Sequence, residues 1–248
     1  MQYFLCTKET IPAGMGFPRF GALHLAWLLL FFAAAIFCSA LYRRLCPAGR
    51  RRMRLIFAAL LIADEAFKTL CLLAEGNYLA TYLPLHLCSI NILLIALHAP
   101  RPSRLLSSFL YTVCIPAAIA ALLFPTWAEL PLANFMHLHS FTVHILLAIY
   151  PIMLTAGGDI RPRMKDAPLC LGFLAVLAVV IYPVNLLLDT NFMFLMYAPE
   201  GNPLFWFEET FGNHLVGFPV LIAAIMILMF FPAELLRRLR QKSAVSAA

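Results

Sequence analysis

Long apolar segments, each about the length of a membrane-spanning helix, recur along the 248-residue chain. A helix needs about 20 predominantly apolar residues to cross the hydrocarbon core of a bilayer. Seven segments meet this requirement, with turn-forming Pro, Gly and Asn residues between them: 20–42, 55–73, 79–97, 105–124, 134–155, 168–188 and 213–231. The pattern predicts an all-α polytopic membrane protein, a bundle of seven transmembrane helices within residues 20–232.

Positive charges alternate between the two sides of the predicted spans. Fifteen of the 18 Lys and Arg residues follow the first, third, fifth and seventh spans, whereas Lys8 and Arg19 lie on the opposite side and Lys68 lies within the second span. Basic residues are retained in the cytoplasm. The sequence therefore predicts an extracytoplasmic N-terminal segment (1–19), the transmembrane domain (20–232) and a cytoplasmic basic tail (233–248), in a multi-pass protein of the plasma membrane.

The composition agrees with a membrane protein and excludes several other classes. Hydrophobic residues make up 63% of the chain and charged residues only 12%, against about 25% charged residues in a soluble domain. The net charge of +6 follows the predicted topology, so nucleic-acid binding is not expected. The seven cysteines have no CxxC spacing, and GxGxxG and Walker motifs are lacking. No disulfide framework, metal site or nucleotide cofactor is therefore predicted.

Polar side chains lie near the middle of three predicted spans. Asp64 and Glu65 in the second span, Cys88 in the third and His144 in the fifth each lie about ten residues from a span end, about 15 Å into the membrane. Lys68 is close enough along the helix to pair with either carboxylate, as a structural ion pair or as part of an ion relay. A thiol and an imidazole at one depth are a candidate nucleophile and base.

Other polar residues surround Cys88 in the sequence. Asn91 and Pro84 are expected on the same helical face as Cys88, with a kink of the span at Pro84. His86 is two residues away, so it points elsewhere in a regular helix. A core histidine bonded to a backbone carbonyl is its simpler interpretation.

Histidines also concentrate in the predicted outer half of the bundle. His24 lies in the first span, and His137 and His139 lie at the start of the fifth. They are interpreted either as interfacial histidines at polar helix ends or as part of a polar funnel leading to the membrane centre. A metal cluster is disfavoured because no carboxylate or thiol lies beside them at ligand spacing.

The order of these motifs resembles that of a known family, the YwaF-like integral membrane proteins grouped with the transmembrane protein 164-type acyltransferases. The resemblance covers about residues 20–232 and includes His24 and Glu65. Its most specific motif is Leu-Pro-Leu-His-Leu-Cys at 83–88. It also includes a Phe-x-x-His helix core at 141–144 and an Asn-Phe-Met-Phe-Leu segment at 191–195.

The resemblance implies a cofactor-free membrane acyltransferase that takes an acyl chain from a phospholipid and passes it to a lysolipid. Cys88 would be the acyl-accepting nucleophile and His144 its base. Residues expected to bind substrate or support the site are His86, Glu65, Asn91, His24, His137 and Asn191. The alternatives are an acyl hydrolase, a non-catalytic transporter or carrier with an Asp64–Glu65–Lys68 relay, and a membrane receptor or assembly factor.

Overall fold

The computed structural model describes residues 3–246, except for the side chains of residues 232, 233 and 235–246. Of the predicted tail at 233–248, it therefore gives only the backbone to Ser246 and the Glu234 side chain. The described residues contain no β-strand and form nine α-helices: α1 (Ala22–Arg44), α2 (Pro47–Ala74), α3 (Leu87–His98), α4 (Arg104–Phe109), α5 (Ile115–Leu123), α6 (Phe135–Ala156), α7 (Ala167–Leu188), α8 (Pro203–Phe211) and α9 (Gly217–Ser246).

Within this range, six segments are long and apolar enough to cross a membrane: Ala22–Arg44, Ala80–His98, Arg104–Leu123, Phe135–Ala156, Met164–Leu188 and His214–Phe231. They correspond to six of the seven predicted spans, and the all-helical, multi-pass class is confirmed. The remaining predicted span falls in α2, which has 28 residues. Asp64, Glu65 and Lys68 interrupt its apolar sequence.

α6 is the central helix of the bundle. It is buried along most of its length and packs against α1, α2, α3 and α5. The outer helices instead turn large apolar side chains away from the bundle, as Ile36 on α1 (71% exposed) and Leu187 on α7 (82% exposed) show. Exposed apolar surface on this scale is typical of contact with lipid.

The predicted third span is broken in the middle. A 3₁₀ turn at Ala80–Tyr82 ends before Leu83, and α3 begins only at Leu87. Pro84 explains the break, because proline has no backbone N–H donor and keeps the preceding residue out of the helical region. The expected kink is thus a complete interruption, and the prediction that Pro84 shares a helical face with Cys88 is wrong.

The span that follows contains a π-helical turn at Leu110–Cys114, between α4 and α5. Pro116 lies in the first turn of α5 and cannot donate to the carbonyl four residues earlier. The wider turn brings the Tyr111 hydroxyl within 2.7 Å of the Met229 carbonyl oxygen. This hydrogen bond joins the fourth predicted span to α9.

An ion-pair cluster joins four helix ends at one side of the bundle. Asp159, in the α6–α7 connection, accepts a hydrogen bond from the Tyr42 hydroxyl at 2.6 Å and from Arg50 at 2.8 Å. Arg54 lies 3.5 Å from the same carboxylate and donates to the Ala99 carbonyl at 3.2 Å. The ends of α1, α3 and α6 and the beginning of α2 therefore meet here, among the arginine-rich connections.

The N-terminal segment packs over the opposite side. The Asn134 side chain, at the N-cap of α6, donates to the carbonyl oxygens of Tyr3 and Cys6, each at 2.8 Å. The backbone amide of Phe17 donates to Ala128 at 2.9 Å. These bonds hold residues 3–19 against the α5–α6 connection.

Candidate active site

Polar side chains from three helices meet inside the bundle where α2, α3 and α6 pack together. This polar cluster consists of Asp64, Glu65, Lys68, Ser89, His139 and Thr142.

Glu65 is the carboxylate that pairs with Lys68. Their side chains, one helical turn apart on α2, approach to 2.5 Å, and Lys68 is only 6% exposed. The Ser89 hydroxyl also donates to Glu65 Oε1, at 3.4 Å. Of the two partners that the sequence allowed for Lys68, the structure thus has Glu65.

Asp64 turns instead towards α6. Its Oδ1 accepts a hydrogen bond from the Thr142 hydroxyl at 2.9 Å, and its Oδ2 lies 2.8 Å from His139 Nδ1. His139 Nε2 also lies 3.9 Å from Glu65 Oε2. His139 is therefore a buried partner of two carboxylates, not the interfacial histidine that the sequence suggested.

Cys88 is the second residue of α3 and lies at the helix N-terminus that the break before Leu87 creates. The first backbone N–H groups of a helix lack intrahelical acceptors. Here the N-cap residue, His86, provides no side-chain cap, and the described hydrogen bonds include none from the amides of Leu87 and Cys88. Two free donors and the positive end of the helix dipole favour an anion, either a thiolate or an oxyanion, at this position.

Cys88 and two histidines are electrostatically part of the polar cluster. Lys68 and Glu65, whose opposite charges partly cancel each other, both lie near Cys88 and His86. His144 interacts in turn with His86 and with the His139–Asp64 side of the cluster.

His144 has the tautomer of a general base. Its Nδ1 lies 2.6 Å from the Ser140 carbonyl oxygen. Because a carbonyl only accepts, Nδ1 carries the proton, and Nε2 keeps its lone pair. No hydrogen bond between Cys88 and His144 occurs among the described residues, so their predicted contact stays a prediction.

His86 packs against residues 191–195, which form a second motif of the family resemblance. Its ring packs edge-on against Phe192, with centroids 5.1 Å apart, and lies 6.3 Å from the ring of Phe194. The segment 191–195 therefore packs over His86, two residues before Cys88.

This covering segment has an unusual backbone. Met193 and Phe194 have φ values of 59° and 56°, in the left-handed region that non-glycine residues rarely adopt. The side chain of Asn185, which is 1% exposed, donates a hydrogen bond to the Phe192 carbonyl oxygen and accepts one from the Phe192 amide. His214 Nε2 lies 3.0 Å from the Phe194 carbonyl oxygen. Strained backbone that neighbouring hydrogen bonds maintain is common at functional sites.

Two of the predicted supporting histidines are fully engaged elsewhere. His24 Nδ1 accepts from a backbone amide at 2.9 Å, and its Nε2 lies 2.7 Å from the Leu122 carbonyl oxygen. His137 accepts from the Trp27 indole at 2.9 Å and lies 3.0 Å from the Leu130 carbonyl oxygen. With both ring nitrogens bonded, their evident role is to join helices and loops.

Of the two asparagines that were predicted to support the site, one bonds within its own loop and the other lies close to Cys88 in the helix. Asn191 stabilises its own loop, accepting from the Met196 amide at 3.0 Å and donating to the Tyr197 carbonyl at 2.9 Å. Asn91, one helical turn after Cys88, is 1% exposed, and its Oδ1 has no partner among the described residues. A buried amide oxygen of this kind is costly unless a ligand or water completes it.

Sequence reasoning missed three members of the site: Ser89, His139 and Thr142. Ser89 and Thr142 lie near the middle of their predicted spans and His139 lies one turn into its span, so a polar residue within an apolar segment was an available signal. Among the described residues, no group of three or more His, Cys, Asp or Glu side chains is arranged to hold a metal ion.

A family model, the TMEM164 family, matches residues 19–230. The matched range includes every residue of the polar cluster, Cys88, and the segments 83–88 and 191–195 that meet at His86. No curated protein and no solved structure matches the chain.

Proposed function

We propose, from the premise that this chain belongs to the TMEM164 family, that it is a membrane acyltransferase acting on phospholipid or lysolipid through Cys88 and His144. One observation carries the proposal: the Cys88 thiol lies at a helix N-terminus with free amides, beside a buried cluster that contains Lys68. Activated cysteines occur at helix N-termini and next to cations.

The reaction begins with transfer of the Cys88 thiol proton to His144 Nε2. The thiolate attacks an ester carbonyl of a phospholipid, and the amides of Leu87 and Cys88 stabilise the oxyanion. The C–O bond then breaks, and the lysophospholipid leaves with the proton from His144. The acyl chain remains on Cys88 as a thioester.

A lysolipid hydroxyl completes the cycle. It gives its proton to His144 and attacks the thioester, the C–S bond breaks, and the Cys88 thiolate recovers the proton. If water takes the place of the hydroxyl, the same steps give an acyl hydrolase. Since both lipids reside in the bilayer, a site inside a helical bundle receives them laterally, and the plasma membrane is the proposed location.

Thioester trapping tests this function. The purified protein is incubated with an activated acyl probe, and labelling is measured with and without hydroxylamine, which cleaves thioesters. We expect hydroxylamine-sensitive labelling that disappears in Cys88→Ala and persists in Cys170→Ala, the control for loss of another buried thiol. Equal labelling of Cys88→Ala, or full acyl transfer by that variant, would refute the proposal.

An ion relay is the second candidate function. It is favoured by the approach of Asp64 to His139 across α2 and α6, and of Glu65 to Lys68. A proton-coupled carrier would lose ion flux in proteoliposomes on Asp64→Asn substitution and would still lack Cys88 labelling. An acyltransferase would show labelling and no flux.

We further propose that α2 is the seventh span, with the N-terminus outside and the C-terminus cytoplasmic. α2 connects the arginine-rich side, where Arg54 contacts Tyr42 and Ala99, with the side covered by the N-terminal segment. Its buried charges face Ser89 and His139 rather than lipid, which removes the main obstacle to spanning.

A further inference from the structure

A groove of about 360 Å³ lies between α1 and α6, and none of its lining residues belongs to the polar cluster. Its larger part is apolar, and two polar side chains lie towards one end. The residues that matter here are Phe32, Ala35, Ile36, Ile152, Ser39 and Arg43. Because the side chains of Ala35 and Ser39 are small, an open space remains between the larger side chains that line the groove.

The groove has the length of one lipid chain. Phe32 and Arg43 are 11 positions apart on α1, which corresponds to about 16 Å along a helix axis. One leaflet of the hydrocarbon core is about 15 Å thick. An acyl chain beside Phe32 therefore brings its headgroup to the level of Arg43, at the arginine-rich side of the bundle.

The polar side chains at one end of the groove have no protein partner among the described residues, and Arg43 is exposed. Within the described part of the chain, neither the Ser39 hydroxyl nor the Arg43 guanidinium forms a hydrogen bond or ion pair. The neighbouring Arg50 and Arg54 are occupied by Asp159, at 2.8 and 3.5 Å. Polar groups that border hydrocarbon require a partner. The groups that lack one here are a hydroxyl, which can donate a hydrogen bond, and a cation.

We propose that this groove binds one anionic phospholipid from the leaflet on the arginine-rich side, as a resident lipid rather than a substrate. The acyl chain lies along Phe32 and Ile36, the phosphate pairs with Arg43, and Ser39 donates to an ester oxygen. The charge favours an anionic lipid, since six arginines lie between positions 43 and 54 and a zwitterionic headgroup would add another cation. Basic pockets between helices at this level of a membrane bind such headgroups.

Lipid retention tests the proposal independently of acyl transfer. The full-length protein is reconstituted in phosphatidylcholine containing a minor fraction of phosphatidylglycerol, extracted in mild detergent, and the retained lipids are quantified. We expect enrichment of phosphatidylglycerol by the wild type and an about fivefold loss in Arg43→Gln, equivalent to about 1 kcal/mol for one basic contact.

Two further variants make the test specific. Ser39→Leu fills the groove while keeping its charge and should also lose phosphatidylglycerol. Arg51→Gln removes an exposed arginine outside the groove and should retain it. Retention that is unchanged in Arg43→Gln, or reduced equally in Arg51→Gln, overturns the proposal. Because Arg43 is exposed, folding of Arg43→Gln is not at risk, and its thermal stability in lipid-free detergent should match the wild type.

Discussion

Replacing Lys68 with methionine removes the cation that faces Glu65 and keeps an apolar side chain of similar length. In the wild type, Glu65 has Lys68 at 2.5 Å, the Ser89 hydroxyl at 3.4 Å and His139 Nε2 at 3.9 Å. The variant therefore leaves a carboxylate inside the bundle without a close cation. Such a group must be accommodated in its protonated form.

The cost of that protonation sets the size of the effect. A glutamic acid side chain ordinarily has a pKa of about 4.3, so protonating it costs about 3.7 kcal/mol at pH 7 and about 1 kcal/mol at pH 5. Breaking a buried ion pair typically costs about 3–5 kcal/mol. We expect Lys68→Met to lose about 3 kcal/mol at pH 7. The loss should shrink as the pH falls, because the folded variant binds a proton that the unfolded chain releases above about pH 4.3.

The free energy of unfolding, measured in mixed micelles by titration with a denaturing detergent, checks this prediction. Adding Glu65→Gln to Lys68→Met should restore most of the loss, because the variant then has no orphan charge at this position. Arg104→Gln is the control: it breaks the pair with Asp166, in which Arg104 is 60% exposed, and should cost less than about 1 kcal/mol. An unchanged stability of Lys68→Met at pH 7, or an equal loss at pH 5, would refute the reasoning.

Three other predictions are direct. A reporter fused after Ala248 should be cytoplasmic, and an external reporter would overturn the topology of seven spans with an extracytoplasmic N-terminus. His144→Ala should slow thioester formation about 100-fold or more, the usual contribution of a general base, and a normal single-turnover labelling rate would exclude it from that role. Gly157→Ala should lower stability by about 1–3 kcal/mol, because its Cβ would lie 2.6 Å from Tyr42 Cδ1, whereas Gly172→Ala meets nothing within 4 Å and should be neutral or stabilising in thermal denaturation.

Hydropathy predicted the positions of the membrane helices because lipid-facing surfaces require continuous apolar sequence. It could not predict the break before Cys88. Pro84 was a clear signal, but a proline can either kink a helix or end it, depending on whether neighbours satisfy the freed backbone groups. Asn202 and Pro203 are among the turn-forming residues between the sixth and seventh predicted spans, yet they are the cap and first residue of α8, a common helix start.

The membership of the polar cluster was only partly predictable. In a helix, His139 lies on a different face from His137 and His144. Because α6 is buried on nearly every side, that face also meets another helix. Which neighbour a face meets depends on the packing of distant segments, as the contacts of Asp64 with Thr142 and His139 show.

The contact of Asp64 with Thr142 also constrains how the chain enters the membrane. The two residues are 78 positions apart, so at about 5–20 residues per second α6 is synthesised roughly 4–16 s after α2. Under the proposed seven-span topology, α2 carries during that interval an aspartate without its final partners, at an insertion cost of about 2.5–3.5 kcal/mol. We expect α2 to remain next to the insertion machinery until α6 arrives, so that the order of synthesis determines when the bundle can close.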